Sequence, residues 1–369
     1  MRVLVWQWGR RGAGPRFAAH LAAALDELPG VSGLLSLSTG AEILGGPDAP
    51  RCALPVPTYA TAAGLAGRMV QAPWLVAAMT RRFKALRLDL AIDAMPGPLD
   101  LLCVAALRGA GVPAAIIVHD ADAHPGDGFP LLMGLQRRLV RRADAVVALS
   151  WHVAGRLRAQ RLIGGDARLI VASHPPFDFG AMPPPFAHGA GIRLLTFGRL
   201  LPYKGLDLLA EAMRLLGPIP GLQLRVVGSG PDSEALRALR VLPGVRVENR
   251  WVAEPEIGGM LAWADALVLP YREASQSGVA AAAVASGRPV ICTRVGGLIE
   301  QLAGETLARW CDPTAASLAA AIRDLLSAPA LPPTAPRDPA PAWRALARQL
   351  LNELGEPPQT AALSQPAGS

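Results

Sequence analysis

The stretch "IRLLTFGRLLPYKGLDLLAEAM", residues 192–213, carries the pattern that decides the fold. Its first six residues are mostly apolar, as expected for a short strand buried on both faces of a parallel sheet. Gly198 permits a sharp turn, and from residue 206 the apolar positions follow the period of a helix. The stretch therefore predicts a strand, a loop and a helix in succession, which is the repeating unit of an α/β domain.

The same unit recurs along the whole chain. Strands are predicted at residues 2–6, 88–94, 113–119, 143–150 and 167–172, and again at 192–197, 222–227, 245–249, 266–270 and 289–293. Helical periodicity is found at 14–28, 206–216, 233–239, 256–263, 277–286 and 315–326. The predicted fold class is α/β, with two doubly wound, Rossmann-like parallel-sheet domains. They face a central cleft and bind ligands at the carboxyl ends of their strands.

Stretches rich in proline and glycine predict the domain boundaries. Residues 1–175 form the N-terminal domain and residues 192–330 the C-terminal domain, with a linker at 176–191. A proline-rich segment and a closing helix occupy 331–355, and residues 356–369 are predicted to be disordered. A length of 369 residues suits two ordinary domains.

The composition argues against several classes of protein. No apolar run approaches the roughly 20 residues needed to cross a bilayer, and the N-terminus lacks the pattern of a signal peptide. The four cysteines have no metal-ligand spacing among themselves or with histidines. They predict reduced thiols in a cytosolic protein rather than a zinc site.

The positive charge is concentrated in the first half. Residues 1–175 contain 19 Lys+Arg against 12 Asp+Glu, residues 176–369 contain 17 of each, and the net charge is +7. Two basic segments without acidic residues, 68–87 and 131–142, predict a surface for an anionic membrane, the first with Trp74 and Phe83 beside its cations. A solvated helix face explains the same pattern, and no nucleic-acid-binding module accompanies it.

Two cations follow the strand at 192–197. Arg199 and Lys204 project from the loop before a helix, where free amides and the helix dipole also favour an anion. The arrangement suits a diphosphate, although a solvated loop with incidental cations is the alternative. The chain has neither G-x-x-x-x-G-K-[ST] nor a G-x-G-x-x-G after its first strand, which argues against ATPase and dinucleotide-binding functions.

Two more junctions between a strand and a helix follow. "VVGSGPD", residues 226–232, places Gly228 and Gly230 where a backbone can approach a ligand closely. "ASQSGV", residues 274–279, leads into a helix of alanines and valines, with the amides of Ser277 or Gly278 facing a possible phosphate. A tight turn alone explains the first pattern equally well. A tightly packed buried helix explains the second, and there both interpretations can hold together.

These motifs together resemble a known family. "GRLLPYKGLDLL", "VVGSGPD", "ADALVLPYREASQSGV" and "SGRPVICTRVGGLIE" occur in the order and spacing of the group 1 glycosyltransferases, which are retaining GT-B enzymes of the family-4 type. The resemblance covers residues 190–305, and extends more weakly to "VHDADAHPG", "RRADAVVALSWHVAGRL" and the last helix with Trp343. It implies a nucleotide-sugar donor, UDP- or GDP-linked, in the second domain and an acceptor in the first. It implies no bound metal or other cofactor.

The resemblance also implies roles for individual residues. A catalytic role falls to His119, Arg199, Lys204 and Glu273, with donor binding by Gly198, Gly228, Gly230, Gln276, Ser277, Gly278 and Val279, and acceptor binding by Gly12, Gly14, Arg16 and Asp120. His119 ends a strand and would position a donor or acceptor hydroxyl, with His124 as a weaker neighbour. Arg16 and its glycine-rich loop would hold an acceptor phosphate, although an exposed basic loop is the alternative.

The sequence departs from the family at its paired glutamates. Members commonly carry two, eight residues apart, the second near the ribose. Here Ala281 or Ala282 stands at the second position, and Glu273 lies one residue before the first, which Ala274 occupies. A subset of the family with a small residue at the second position has the same "ASQSGV" pattern.

The expected function is transfer of a hexose to a sugar hydroxyl, retaining and independent of metal. The expected acceptor is linked to a polyprenyl diphosphate or a glycolipid at the cytoplasmic face of a membrane, as in exopolysaccharide, lipopolysaccharide or glycolipid assembly. The alternatives are a nucleotide-sugar 2-epimerase of the same architecture and a non-catalytic protein that binds a nucleotide sugar or serves as a membrane scaffold. Loss of the second glutamate favours the last of these, whereas the retained His119, Arg199 and Lys204 argue against it.

Overall fold

A computed structural model describes residues 1–46, 48–124, 126, 130–164, 167–177, 191–328 and 336–355, the side chains of 130–132 excepted. Most of the predicted linker at 176–191, part of the proline-rich segment and the predicted tail at 356–369 lie outside these residues. In the described part of the chain, no helix combines the length and the hydropathy that crossing a membrane requires.

The first domain is built on a parallel sheet. Its strands are β1 (Arg2–Gln7), β2 (Ser32–Leu37), β3 (Leu90–Asp93), β4 (Ala114–Val118), β5 (Ala145–Ala148) and β6 (Arg168–Val171). Its helices are α1 (Ala13–Asp26), α2 (Ala62–Val70), α3 (Ala72–Leu86), α4 (Asp100–Ala110), α5 (Pro130–Val140) and α6 (Trp151–Ala159), with a 3-10 turn at Glu42–Gly45. The strand order is β2-β1-β3-β4-β5-β6.

The second domain repeats this plan. Its strands are β7 (Ile192–Arg199), β8 (Leu222–Ser229), β9 (Val245–Asn249), β10 (Ala266–Leu269), β11 (Val290–Thr293) and β12 (Ala308–Cys311), in the order β12-β11-β10-β7-β8-β9. Its helices are α7 (Leu206–Leu216), α8 (Glu234–Arg240), α9 (Glu254–Trp263), α10 (Gly278–Ala285), α11 (Leu298–Gln301) and α12 (Ala315–Ser327), with a 3-10 turn at Pro202–Lys204. The expected pair of doubly wound parallel sheets is confirmed.

Both sheets have a point at which the strand order reverses. In the first domain it lies between β1 and β3, and in the second between β7 and β10. Connections leave such neighbouring strands toward opposite faces, which opens a crevice at their carboxyl ends. Ligands of open parallel sheets bind in this crevice. The end of β7 with Arg199, the following loop with Lys204, and the loop after β10 with Gln276 and Ser277 therefore flank one crevice.

Apolar clusters cover both faces of each sheet. The alanine helix α10 belongs to the second domain, where Ala280, Ala282 and Ala283 are fully buried. It packs against β10 and β11. Because its side chains are small, the helix can lie close to the sheet, and its first turn reaches the crevice at the carboxyl end of β10.

The last helix, α13 (Ala340–Gly355), packs on the first domain although the chain reaches it from the second. Trp343 stacks on His20 with ring centres 5.0 Å apart and meets Phe17 edge-on at 4.9 Å. Its indole N–H donates to the carbonyl of Pro176 at 2.8 Å. The core of the first domain is thus completed by residues from the end of the chain.

Two strands were not predicted. The expected five strands in each half are present, and each sheet has a sixth at its edge, β2 in the first and β12 in the second. Both have partly buried residues over much of their length and interrupt their apolar residues with serine, glycine or arginine. These polar or glycine positions within such short strands weaken the apolar pattern from which a strand is predicted.

Candidate active site

The donor loops meet at the crevice of the second domain. Gly198 and Gly228 lie opposite each other in the register of β7 and β8. A Cβ on Gly228 would lie 1.7 Å from the Gly198 carbonyl oxygen, and one on Gly205, where φ is 64°, would lie 1.7 Å from that of Pro270. Only glycine permits such contacts between backbones. Gly230 exchanges hydrogen bonds of 3.1 and 2.9 Å with the Asn249 side chain.

Arg199 and Lys204 share an aromatic base. The guanidinium carbon of Arg199 lies 5.5 Å, and Nζ of Lys204 4.9 Å, from the centre of the Tyr203 ring. Nζ of Lys204 also lies 3.7 Å from the centre of the Tyr271 ring. Aromatic faces attract cations, so the two positive groups are held close together at the entrance to α7. Helix amides and dipole add to the attraction for an anion there.

The start of α10 is built around Ser277. Its hydroxyl accepts a hydrogen bond from the Ala280 amide at 3.2 Å and caps the helix. Its backbone N–H donates to Oε1 of Gln301 at 2.8 Å, and its carbonyl accepts from Nε2 of Gln301 at 3.0 Å. The Ser277 amide is therefore used within the protein. The next amides, of Gly278 and Val279, belong to the first turn of a helix, which has no intrahelical acceptors for them.

His119 and Gln276 meet across the cleft. His119 is 4% exposed at the end of β4, and its Nε2 lies 2.8 Å from the carbonyl oxygen of Ala94. Its Nδ1 lies 3.2 Å from Nε2 of Gln276. Burial lowers the pKa of His119 despite this backbone hydrogen bond and the nearby charge of Asp120. The imidazole is therefore neutral at pH 7, with both nitrogens engaged.

Asp120, His124 and Glu273 form a second link between the domains. Nε2 of His124 lies 2.8 Å from Oδ1 of Asp120, and its Nδ1 lies 3.1 Å from Oε1 of Glu273. The side chain of Glu273 is 48% exposed, whereas the neighbouring Ala274 is buried. The carboxylate that the sequence places one residue early therefore reaches the first domain.

The predicted acceptor loop lies between β1 and α1. Gly12, with φ of 87°, precedes the first residue of α1, and a Cβ on Gly14 would lie 2.9 Å from the Gln7 side chain. Nη1 of Arg16 lies 2.5 Å from Oε1 of Glu254, at the start of α9. Arg16 was expected to face an acceptor phosphate, and in this closed arrangement its guanidinium contacts a carboxylate of the other domain.

Glu300 makes a further contact between the domains that sequence reasoning missed. Its carboxylate accepts hydrogen bonds from the amides of Trp151 at 2.5 Å and His152 at 2.8 Å, at the start of α6. Ser150 caps the same helix and donates to the Ser275 carbonyl at 3.1 Å. A carboxylate at a helix N-terminus is stabilised by free amides and by the helix dipole. Glu300 ends the motif "SGRPVICTRVGGLIE", which indicated the family. The motif gave no sign of what this side chain contacts.

Two buried carboxyl groups, Asp93 and Asp100, interact with each other at the end of β3. Asp93 ends β3 and directly precedes Ala94, whose carbonyl contacts the His119 ring. Oδ1 of Asp100 accepts a hydrogen bond from the Trp6 indole at 3.1 Å. Burial and the charge of Asp100 raise the pKa of Asp93 well above its usual value, and burial raises the pKa of Asp100 to about 7. The two carboxyl groups therefore keep their protons at pH values at which exposed carboxyl groups are ionised.

Family models match both domains of the chain. The model of "Glycosyl transferase 4-like domain" matches residues 8–176, and that of "Glycosyl transferases group 1" matches residues 191–328. The chain belongs to the group 1 glycosyltransferases. Both domains of the chain thus match, in the order that the resemblance of its motifs implied.

Curated relatives of the chain match over part of their length. A glycogen synthase of Mycobacterium tuberculosis is 36% identical over 235 residues, which are 59% of this chain and 56% of the relative. A D-inositol 3-phosphate glycosyltransferase of Segniliparus rotundus is 30% identical over 52% of this chain and 46% of its own. A GDP-mannose:glycolipid 4-beta-D-mannosyltransferase of Xanthomonas campestris pv. campestris is 33% identical over 27% and 29%. The chain spans about half the length of the first two.

Solved structures share the whole fold. The sucrose-phosphate synthase of Thermosynechococcus elongatus superposes with a TM-score of 0.63 at 17% identity, over 96% of this chain and 94% of the other. HepE of Anabaena, solved in complex with UDP and glucose, gives 0.63 at 17% identity over 96% of each chain. At such identities the likeness establishes the GT-B architecture and nothing finer.

The predicted residues lie in three groups in the structure. Arg199, Lys204 and the start of α10 lie on the donor side, His119 with Gln276 spans the cleft, and Asp120 with Glu273 closes it through His124. Among the residues that the structure describes, no group of three or more His, Cys, Asp or Glu side chains is arranged to hold a metal ion.

Proposed function

We propose that the protein transfers a hexosyl group from a UDP- or GDP-linked sugar to a sugar hydroxyl, with retention of configuration and without a metal ion. The observation that carries the proposal is the gathering of Arg199 and Lys204 around Tyr203 at the crevice of the second domain. The nearby start of α10 adds helix amides to these cations. His119 lies opposite, on the first domain.

The charges fit the bond that breaks. When the bond between the anomeric carbon and the diphosphate oxygen breaks, the electron pair stays on the phosphate. Arg199, Lys204 and the amides of Gly278 and Val279 stabilise this growing charge, and they are already in place before reaction. The acceptor oxygen bonds to the same face of the sugar, and its proton passes to the departing phosphate oxygen.

His119 suits a positioning role better than that of a base. Its Nε2 must carry the proton, because the Ala94 carbonyl can only accept, and its Nδ1 then accepts from the amide of Gln276. A ring held in this way fixes Gln276 at the mouth of the donor site. The retention of this pair, together with Arg199 and Lys204, supports an active enzyme over a non-catalytic binding protein.

The proposal includes both UDP- and GDP-linked donors. The second glutamate of the family is replaced by alanine, which has no polar side-chain group. Ala281 and Ala282 are 4% and 0% exposed within α10. The UDP complex of HepE and the GDP-mannose in the name of the Xanthomonas relative support both donors equally. Ribose recognition falls to backbone groups near Gly228 and Gly230 in this proposal.

The acceptor in this proposal is lipid-linked and presented at the inner face of a membrane. Helices α2 and α3 leave Met69, Val70 and Trp74 exposed by 47%, 74% and 71%. The exposed Arg81 and Arg82 follow on α3, in a domain whose charge excess is positive. Apolar side chains beside cations suit the boundary of an anionic bilayer. The glycolipid in the name of the Xanthomonas relative supports such an acceptor.

A thermal-shift panel tests the donor site. UDP, GDP, ADP, CDP and NAD are added without metal to the wild type and to the double variant Arg199→Ala/Lys204→Ala. Stabilisation by one nucleoside diphosphate, lost in the double variant, would support the site and identify the base. Equal stabilisation of both proteins would place the diphosphate elsewhere. Transfer from the matching sugar nucleotide then tests the activity itself.

A further inference from the structure

His124 is shared between the two domains by three contacts. Its two ring nitrogens lie 2.8 Å from Asp120 of the first domain and 3.1 Å from Glu273 of the second. Its ring also stacks on Tyr203 of the second domain, with centres 4.1 Å apart and planes inclined by 13°. The residue itself is 5% exposed. The His124 side chain thus has contacts from both domains: Asp120 from the first, and Glu273 and Tyr203 from the second.

The hydrogen bonds specify the charge of the ring. Carboxylate oxygens accept hydrogen bonds and cannot donate them, so each ring nitrogen of His124 must carry a proton. Only the imidazolium has two N–H groups. In the neutral form one of the two links, to Asp120 or to Glu273, would be lost.

The segment that carries His124 is itself anchored. Asp122 accepts hydrogen bonds from Arg156 at 2.8 Å and Gln160 at 2.7 Å, both near the end of α6. The carbonyl of Asp120 accepts from Gln136 of α5 at 2.6 Å. The first domain therefore presents the imidazole from a defined position, and Glu273 is the exposed partner that it holds.

We propose that His124 is a positioning residue for sugar transfer, which links Asp120 of the acceptor domain to Glu273 of the donor domain when the cleft closes. The inference rests on the proposed function and extends it. Glu273 belongs to the loop between β10 and α10, beside the site of the diphosphate. By holding this carboxylate, the imidazolium directs it into the cleft and makes its position depend on closure.

The surrounding charges support the protonated form. Burial alone lowers the pKa of His124, but its hydrogen bond to Asp120 and the charges of Asp120 and Glu273 outweigh burial and raise the pKa above its usual value. The positive charge of Arg199 acts in the opposite direction. Lys204 faces the same Tyr203 ring, on which the imidazole stacks. A bound diphosphate would partly neutralise these two cations and strengthen the protonated form.

The link predicts a specific dependence on pH. A raised pKa in the closed protein means that the imidazolium is present at pH values below that pKa and is lost as the pH rises through it. The transfer rate should therefore fall as the pH rises and His124 loses its proton. If His124 contributed only to packing, its deprotonation would not lower kcat at high pH.

The first test reads the link without any substrate. Histidines labelled with carbon-13 at Cε1 are titrated by NMR, and the signal of His124 among the six histidines is identified by its loss in His124→Gln. In Glu273→Gln and in Asp120→Asn the titration of His124 should move to lower pH. An unchanged titration in Glu273→Gln would overturn the proposal, whether or not the protein transfers sugar.

The second test uses transfer. His124→Gln and His124→Phe, which keeps a ring to stack on Tyr203, should lower kcat about 100-fold, the scale of a misplaced group, and change KM for the donor little. The alkaline limb should disappear from the pH profile of His124→Gln. The matched control is His152→Gln, which keeps its backbone amide and should behave as wild type. Wild-type kcat and pH profile in His124→Gln would overturn the assignment.

The two tests separate this inference from the proposed function. Failure of the proposed function would appear as a wild-type protein that binds no nucleoside diphosphate and transfers no sugar. The NMR titration would still report whether His124 links Asp120 to Glu273. An active enzyme in which His124 titrates independently of Glu273 would refute the positioning role alone.

Discussion

Nε2 of Gln276 lies 3.2 Å from Nδ1 of His119, and the two residues are 157 positions apart in the chain and on different domains. Because His119 is neutral and donates from Nε2 to a carbonyl, its Nδ1 accepts and the Gln276 amide group must donate. This leaves Oε1 of Gln276 buried and, among the described residues, without a hydrogen-bond partner. A buried acceptor in this state is costly unless a substrate hydroxyl supplies the donor.

Substitutions at Gln276 should therefore affect sugar transfer. Gln276→Ala removes the amide and should lower kcat/KM for the donor sugar about 10-fold or more, the cost of one buried hydrogen bond. Gln276→Glu places a carboxylate beside Nδ1, which should protonate His119 and change the pH profile. The control is Gln223→Glu, on an exposed position of β8. Wild-type kinetics in Gln276→Glu would contradict the contact.

Lys204→Ala should lower the transfer rate at least ~100-fold, because it removes one of the cations that stabilise the leaving diphosphate. The Tyr203 and Tyr271 rings would remain, so the loss is one of charge rather than of packing. Steady-state kinetics with saturating donor measure it. Arg214→Ala, which removes an exposed cation of α7 paired with Glu211, should leave the rate unchanged. Near-wild-type turnover by Lys204→Ala would place the diphosphate elsewhere.

The buried pair Asp93 and Asp100 should make stability depend on pH. Both have folded-state pKa values raised above the ordinary 3.8, Asp100 to about 7, so their contribution is complete below pH 3.8. It is lost as the pH rises through the folded-state values, because the unfolded chain releases these protons first.

Asp93→Asn removes one titrating group and should be more stable than wild type at pH 8, with a smaller gain at pH 4. Urea unfolding at both pH values measures the difference. Asp324→Asn, on an exposed position of α12, should show neither effect. Parallel pH curves for wild type and Asp93→Asn would show that the pair does not retain its protons.

The protein should sediment with anionic vesicles and be released by salt, because the attraction between exposed charges is screened. Vesicles of phosphatidylcholine with and without phosphatidylglycerol test this. Arg81→Glu/Arg82→Glu, on exposed positions of α3, should abolish binding, while Arg214→Glu/Arg323→Glu changes the net charge equally on the second domain and should not. Equal binding to neutral and anionic vesicles would remove the electrostatic part of the proposed membrane surface.

Much of the fold was readable from local patterns. Short apolar strands followed by helices with a regular apolar face predicted both parallel sheets. Such strands need neighbouring strands for their hydrogen bonds and helices to cover their apolar faces. The strands β2 and β12 escaped prediction because serine, glycine or arginine interrupts their short apolar pattern. Motif order was enough to predict the family, and glycine spacing was enough to predict where backbone meets backbone at Gly228.

What each side chain touches was decided by tertiary structure. The links from His119 to Gln276 and from His124 to Glu273 join residues 157 and 149 positions apart, and no local pattern encodes such distances. Arg16 was expected to meet a phosphate and contacts Glu254, and Trp343 completes a core on the other domain. The sequence by itself determined the two sheets and the family, because helices and strands follow from neighbours along the chain. The contacts between side chains in the cleft were decided by the tertiary structure, because they join residues of two different domains.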